Sequence, residues 1–244
     1  MEQAIDKTMK KSIIIGAVVL TASSFLALGA AIDEVKSAIK SLADKPNYSW
    51  ISKTETAGQQ GRFGGPTEGK TEKDGFTYLK MTRGDQTTEA IIKGEKVVVK
   101  TQDGAWQEPP QPGAGGQGGR GAFLGRILRN FKAPAAQAED LVKAAKEIKK
   151  EGDAYVCDLT EEGARQFLMF GGRGGGNQPQ ASNVKGSAKF WVKDGILSKY
   201  EYRVQGTITF NNNDVNIDRT TTVEIKDVGT TKVTVPDEAK QKLQ

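Results

Sequence analysis

The residues able to do chemistry are few, and one common type is missing altogether. With no histidine in 244 residues, Ser-His-Asp and Cys-His pairs, zincin sites and histidine metal centres are all excluded. The one cysteine, Cys157, sits in the strand-like run Ala154-Tyr155-Val156-Cys157-Asp158-Leu159. It has no second thiol to bridge and reads as a small buried hydrophobe. Carboxylate-only catalysis requires two acids that converge. Glu201, Asp218 and Glu224 fall on the wet side of strand patterns, and Glu161 and Glu162 open a helix, where solvation and capping account for them. No catalytic, metal or cofactor set emerges, so a non-enzyme is expected.

Three segments place arginine among glycines: Gly61-Arg62-Phe63-Gly64-Gly65, Gly118-Gly119-Arg120-Gly121 and Gly171-Gly172-Arg173-Gly174-Gly175-Gly176. Arginine-glycine segments can bind RNA, and glycine backbones can cradle phosphate. Phosphate loops, however, follow a strand and open a helix, whereas Gly171 to Gly176 follows a helix and precedes a strand. With 35 basic against 30 acidic residues, mostly interspersed, the charge is no nucleic-acid footprint. The expectation is surface loops at 57–69, 109–121 and 171–180. Should they bind anything, anionic lipid headgroups or cell-wall polymers fit best.

The N-terminus reads as an export signal covering residues 1–31. Lys7, Lys10 and Lys11 precede an apolar stretch from Ile13 to Leu28, and Ala27-Leu28-Gly29 or Gly29-Ala30-Ala31 offers a small-x-small cleavage site. An uncleaved anchor is the rival, since the stretch approaches the ~17-residue lower limit for a span. Interruption by Thr21, Ser23 and Ser24 favours cleavage, and the cell envelope or periplasm is the expected location.

The remainder, 32–244, reads as one domain organised around Gly186 to Lys226. There Ala188, Phe190, Val192, then Tyr200, Tyr202, Val204, Ile208, Phe210, then Val215, Ile217, Val223, Ile225 alternate with polar residues. A period of two sustained this long predicts three antiparallel strands with one apolar and one wet face. Before them, Asp33 to Ala43 predicts a helix with its stripe at Val35, Ala38, Ile39 and Leu42. A strand is expected over Tyr48 to Thr56, followed by a meander of short strands from Phe76 to Gln107 with turns at Gly75, Gly84, Gly94 and Gly104. Helices are expected over Ala122 to Lys132 and Ala136 to Lys149, separated by Pro134. A strand at Tyr155 to Leu159 leads to a third helix capped by Thr160, and Val233 to Pro236 predicts a last strand before a short helix. The apolar face of such a sheet must be covered, and the central helices are the candidates. The helix around Phe123 to Phe131, apolar on one face and basic on the other, is expected to pack as core or to act as a lid or membrane-surface helix.

Two stretches carry a resemblance. Phe190-Trp191-Val192-Lys193-Asp194-Gly195-Ile196-Leu197-Ser198-Lys199 resembles the hairpin of LolA-like envelope proteins. Thr222 to Gly229 with Val233-Thr234-Val235-Pro236 is similar to the closing strand and tail of LppX/LprG-type lipoproteins. The resemblance implies an α+β fold, a curved open antiparallel β-sheet (half-barrel) wrapped around a few helices. It also implies a carrier of lipid or of a lipidated protein. The chain departs from the mycobacterial lipoproteins in having no lipobox cysteine. The expected cavity lining is Phe190, Tyr200, Tyr202, Val204 and Phe210 from the strands, with Phe123, Leu124, Ile127 and Phe131 from the helix. A membrane surface is a further expected partner. The alternative function is an envelope protein-interaction or stress-sensing module with a filled core.

Overall fold

The structure, a computed structural model, describes residues 19–57, 65–110, 120–169, 180–210 and 213–244. The basic segment Lys7 to Lys11, Arg62 and Arg173 with their flanking glycines, and the turn at Asn211 lie outside them.

Eleven strands form one antiparallel sheet in the order β6-β5-β4-β3-β2-β1-β11-β10-β9-β8-β7. Two sequential meanders are thus joined by a single long-range pairing. The first comprises β1 (Asn47–Thr56), β2 (Thr67–Glu72), β3 (Thr77–Arg83), β4 (Gln86–Lys93), β5 (Lys96–Lys100) and β6 (Trp106–Gln107). The second comprises β7 (Ala145–Glu151), β8 (Ala154–Leu159), β9 (Gln180–Lys193), β10 (Ile196–Phe210) and β11 (Asn213–Lys226). β1 pairs with β11 from Ser49↔Lys226 to Thr56↔Arg219. The sheet does not close, since β6 and β7 are its two edges. The expected half-barrel is therefore the observed architecture.

Local chemistry sets the turns. Asp194 and Gly195 both have positive φ, 53° and 72°, the requirement of a two-residue type I′ turn. They hold Lys193 opposite Ile196. One glycine is needed for space: a Cβ on Gly69 of β2 would lie 2.0 Å from the Trp50 ring. Trp50 and Gly69 are directly paired, so the indole lies across the strand that faces it.

Among the described residues there are also five helices: α1 (Val19–Ala43), α2 (Arg120–Arg129), α3 (Pro134–Ala144), α4 (Glu161–Leu168) and α5 (Asp237–Lys242). α1 buries Ala31, Val35, Ala38, Ile39 and Leu42 along one stripe and packs on α3, β7, β9 and β10. It is continuous through Gly29-Ala30-Ala31, where the cleavage sites were expected, and so begins well before the predicted Asp33. No helix among the described residues is long and apolar enough to cross a membrane. α4 starts where Thr160 accepts a hydrogen bond from Gly163 N, as its sequence predicts.

Three expectations are corrected. The predicted helix Ala136 to Lys149 ends at Ala144, and Ala145 turns extended with φ −69° and ψ 141°. The following Ala145–Glu151 pairs with β8, and Ile148 points inward while lysines and glutamates face solvent. Helix propensity of Lys and Glu yields here to cross-strand pairing, and the charges suit an edge strand. Thr67 to Gly69, expected in a loop, belong to β2. The tail 231–236 forms no strand. Val235, Ala239 and Leu243 instead pack on Ile91, Val98 and Trp106, a second core on the convex side. The paired runs Ile91-Ile92 and Val97-Val98 are therefore buried on both faces, which accounts for their consecutive apolar residues. The tail also masks edge strand β6: Trp106 N donates to Glu238 Oε1 at 3.2 Å, and Lys242 donates to Trp106 O.

Placing a methyl at position 69 tests the Trp50 packing. Gly69→Ala drives the ring off β2 and lowers stability by about 1–3 kcal/mol. This will be read as a lower urea midpoint with an unchanged m-value.

Candidate ligand-binding face

Direct cross-strand partners share a face, so the register assigns the concave surface. Starting at β1, Trp50 continues through Gly69, Leu79, Ala90 and Val99 on one side and reaches Ile225 on the other. One row along, Ser52, Val223, Tyr200, Phe190 and Tyr155 align. The concave face is one apolar cluster, but the helices cover its two halves differently.

Over β7 to β10 the cover is tight. Phe190, Tyr200 and Val204 have no exposed surface and Tyr202 is 3% exposed. They lie beneath α1 and α4, which pack on β9 and β10, with α3 against both helices. The Phe167 ring tilts over Tyr202 at 5.3 Å. Polar anchors fix this cover. Tyr200 Oη donates to Gln137 Oε1 of α3 at 2.7 Å. Tyr48 Oη accepts from Ala135 N at 3.4 Å, serving the α3 N-terminus, whose cap residue Ala133 has no side-chain acceptor. Arg219 of β11 donates to the carbonyls of Phe167 (2.6 Å) and Leu168 (3.4 Å) at the α4 C-terminus, where a cation suits the helix dipole. Sequence reasoning missed Arg219, although it shares the parity of Ile217 and Val223 and so falls on the apolar face of the β11 pattern.

Over β4 and β5 the cover is α2. Leu128 is buried, and Phe131, just past the helix, stacks on Trp50 with centroids 6.0 Å apart and planes at 13°. Arg129 donates to Pro110 O at 3.1 Å. Leu124 and Ile127 are half-buried, as are Met81 of β3 and Val99 of β5 on the sheet side. Phe123 points outward at 46% exposure. Gly121 and Gly125 interrupt the ten-residue helix, each costing about 1 kcal/mol of helix propensity against alanine.

The nine expected lining residues are thus divided. Phe190, Tyr200, Tyr202 and Val204 belong to the tightly covered half, whereas Leu124 and Phe131 pack against the core at the α2 seam, and Ile127 is half-buried on the same helix. Phe123 is at its outer rim. Phe210 ends β10 opposite Asn213, and its side chain lies outside the described residues. A separate pocket of about 360 Å³ opens near the bulge of β10, among Gln205, Thr207, Asn216 and Asp218. Its polar walls are unsuited to an acyl chain.

Two of the wet-face acids have partners on neighbouring strands. Arg203 donates to both carboxylate oxygens of Asp218, at 2.7 and 2.5 Å, and this holds the carboxyl below its usual range. Glu201 accepts from Thr222 at 3.3 Å. Among the described residues no three acidic or cysteine side chains cluster as metal ligands.

No protein-family model matches the chain, and no curated protein is significantly similar to it. Solved structures are similar to it in outline. LprF from Mycobacterium bovis is 12% identical with a TM-score of 0.44, aligned over 86% of this chain and 98% of that one. Lipoprotein LppX of Mycobacterium tuberculosis is 10% identical with a TM-score of 0.45, over 84% and 98%. A LolA superfamily protein from Nitrosomonas europaea is 8% identical with a TM-score of 0.31, over 85% and 95%. The expected resemblance is met by structures of those descriptions, while the fold assignment rests on the sheet and helices themselves.

Two titrations check the filled half. Burial raises all five tyrosines, Tyr48 to about 12. A phenol raised in the folded state contributes stability in full below its unfolded value near 10. That contribution is lost as pH rises through the folded value. Absorbance at 295 nm will therefore stay low past pH 10 and rise together with loss of circular dichroism. Burial likewise pushes the Cys157 thiol up to about 11. It will be inert to Ellman's reagent at pH 8 and react once per chain in guanidinium.

Proposed function

We propose that this is an exported, non-enzymatic binding protein that holds a lipid, or the acyl chain of a lipidated partner. The ligand would occupy the apolar seam between α2 and the β3–β5 side of the concave face. The supporting observation is the unequal cover of that single face. One half is closed by helices tied to the sheet through Tyr48, Tyr200 and Arg219. Over the other lies a glycine-interrupted helix that leaves Leu124, Ile127, Phe131, Met81 and Val99 half-buried. An acyl chain entering there gains about 0.8 kcal/mol per buried methylene, so a few methylenes offset the displacement of one weak helix. In this reading Phe190, Tyr200, Tyr202 and Val204 form the solid floor beside the seam, with Phe210 at its far end. Residues 1–31 direct the chain to the envelope, and 32–244 carry the ligand.

The filled half gives some support to the alternative, an envelope interaction or stress-sensing module. Native mass spectrometry of protein purified from envelope extract, followed by organic extraction, separates the two. The carrier reading expects bound lipid in the wild type and its loss in Ile127→Asp, once circular dichroism shows that the variant folds. A clean apoprotein that takes up no added fatty acid would sink the carrier and leave the interaction module.

A further inference from the structure

The outer face of α2 is used neither by the core nor by the seam. Phe123 stands exposed there, with the Arg126 guanidinium 5.5 Å from its ring centroid. The helix sequence, Arg-Gly-Ala-Phe-Leu-Gly-Arg-Ile-Leu-Arg, contains only arginine, glycine and apolar residues. From Pro109 to Ala138 the chain holds Arg120, Arg126, Arg129 and Lys132 and no aspartate or glutamate. A protein partner is ordinarily held in register by donors, acceptors and charges of both signs at the rim of the contact, whereas the only polar side chains α2 offers are cations. A bilayer needs no register. An aromatic ring beside guanidinium groups matches its interface, where the ring enters the acyl boundary and the cations meet lipid phosphates.

We propose that α2 is a membrane-docking helix whose partner is an anionic phospholipid bilayer. Phe123 inserts beneath the headgroups, and Arg126 and Arg129 lie at their level. Docking in this orientation brings the seam of Leu124 and Ile127 to the lipid surface. The proposal stands independently of whether that seam holds an acyl chain.

The test uses the full chain with an environment-sensitive NBD label at Phe123→Cys, since the native Cys157 is buried and escapes labelling. A second label at Lys240→Cys, on α5 at the convex face, is the control. With vesicles of equal parts phosphatidylglycerol and phosphatidylcholine, the label at 123 shifts to the blue and is quenched by spin-labelled lipid. The label at 240 stays in water. Pure phosphatidylcholine gives no shift, and high salt reverses the effect. Arg126→Gln weakens the transition about fivefold, the worth of one basic residue at an anionic surface. In the unlabelled chain, Phe123→Ser lowers co-sedimentation with the same vesicles at least as much.

An unresponsive label at 123, equal response to both vesicle types, or equal response at both positions overturns the proposal. Equal response at both positions would mark general adhesion through the N-terminal apolar stretch. Retention on polyglutamate that Phe123→Ser leaves unchanged would assign the face to an acidic protein and overturn it too. Organic extraction of the same preparations reads acyl occupancy separately. A lipid-loaded chain that ignores vesicles would remove docking and leave the carrier, and an empty chain that docks would do the reverse.

Discussion

The pairing of β1 with β11 is the contact on which the architecture depends. Every other strand pair among the described residues joins neighbours in sequence, through tight turns or, between β8 and β9, through a connection that carries α4. This one brings Asn47–Thr56 against Asn213–Lys226 and costs the closure entropy of most of the chain. Side chains reinforce it: Ser49 donates to Asp227 at 2.7 Å at one end of the ladder, and within it the hydroxyls of the paired Thr54 and Thr221 meet at 3.1 Å. Without it the concave face would be two separate sheets, and the rows that cross the junction, Trp50 to Ile225 and Ser52 to Val223, would be broken.

The same junction distributes the helices. Tyr48 on β1 and Tyr200 on β10 flank it and grip α3 with their hydroxyls, and Arg219 on β11 grips the end of α4. These anchors join a central strand to a helix across a dry interface, where an unpaired hydroxyl or carbonyl would cost about 1–3 kcal/mol. They make the cover over β7 to β10 specific as well as apolar. α2 is held by packing through Leu128 and Phe131 and by a loop carbonyl at Pro110, and packing is more tolerant of substitution by another apolar group. The difference between the halves is thus one of kind: hydrogen-bonded helices on one side, an apolar-faced and glycine-interrupted helix on the other.

The convex face shows how the edge of an open sheet is kept monomeric in its hydrogen bonding. α5 lays Glu238 and Lys242 on the backbone of Trp106 in β6, and β7 at the far edge carries Lys146, Lys149 and Lys150 outward. One edge is occupied by side chains and the other is charged, both recognised defences against strand addition.

Much of this was legible in the sequence because it is local. Alternation in Phe190 to Ile225 named the long strands, Asp194-Gly195 their turn, and Thr160 the start of α4. The absence of histidine closed off whole classes of chemistry. What escaped depends on partners remote in the chain. Lys146 to Glu151 has the composition of a helix and becomes a strand only because β8 lies beside it. Thr67 to Gly69 reads as loop until Trp50 claims the space above Gly69. Arg219 is a charge on the apolar side of β11 whose partners appear only when the α4 C-terminus arrives over it, and Val235 and Leu243 reveal their face only when β4 and β5 supply the other half of a core. The difference in helix cover between the two halves of the concave face is of this second kind. Sequence by itself determined the periodicities, turns and chemical exclusions, since those follow from each residue's own geometry and its near neighbours. Which helix covers which strands, and how firmly, was decided by tertiary packing, because burial and hydrogen bonding are properties of pairs that only the folded chain brings together.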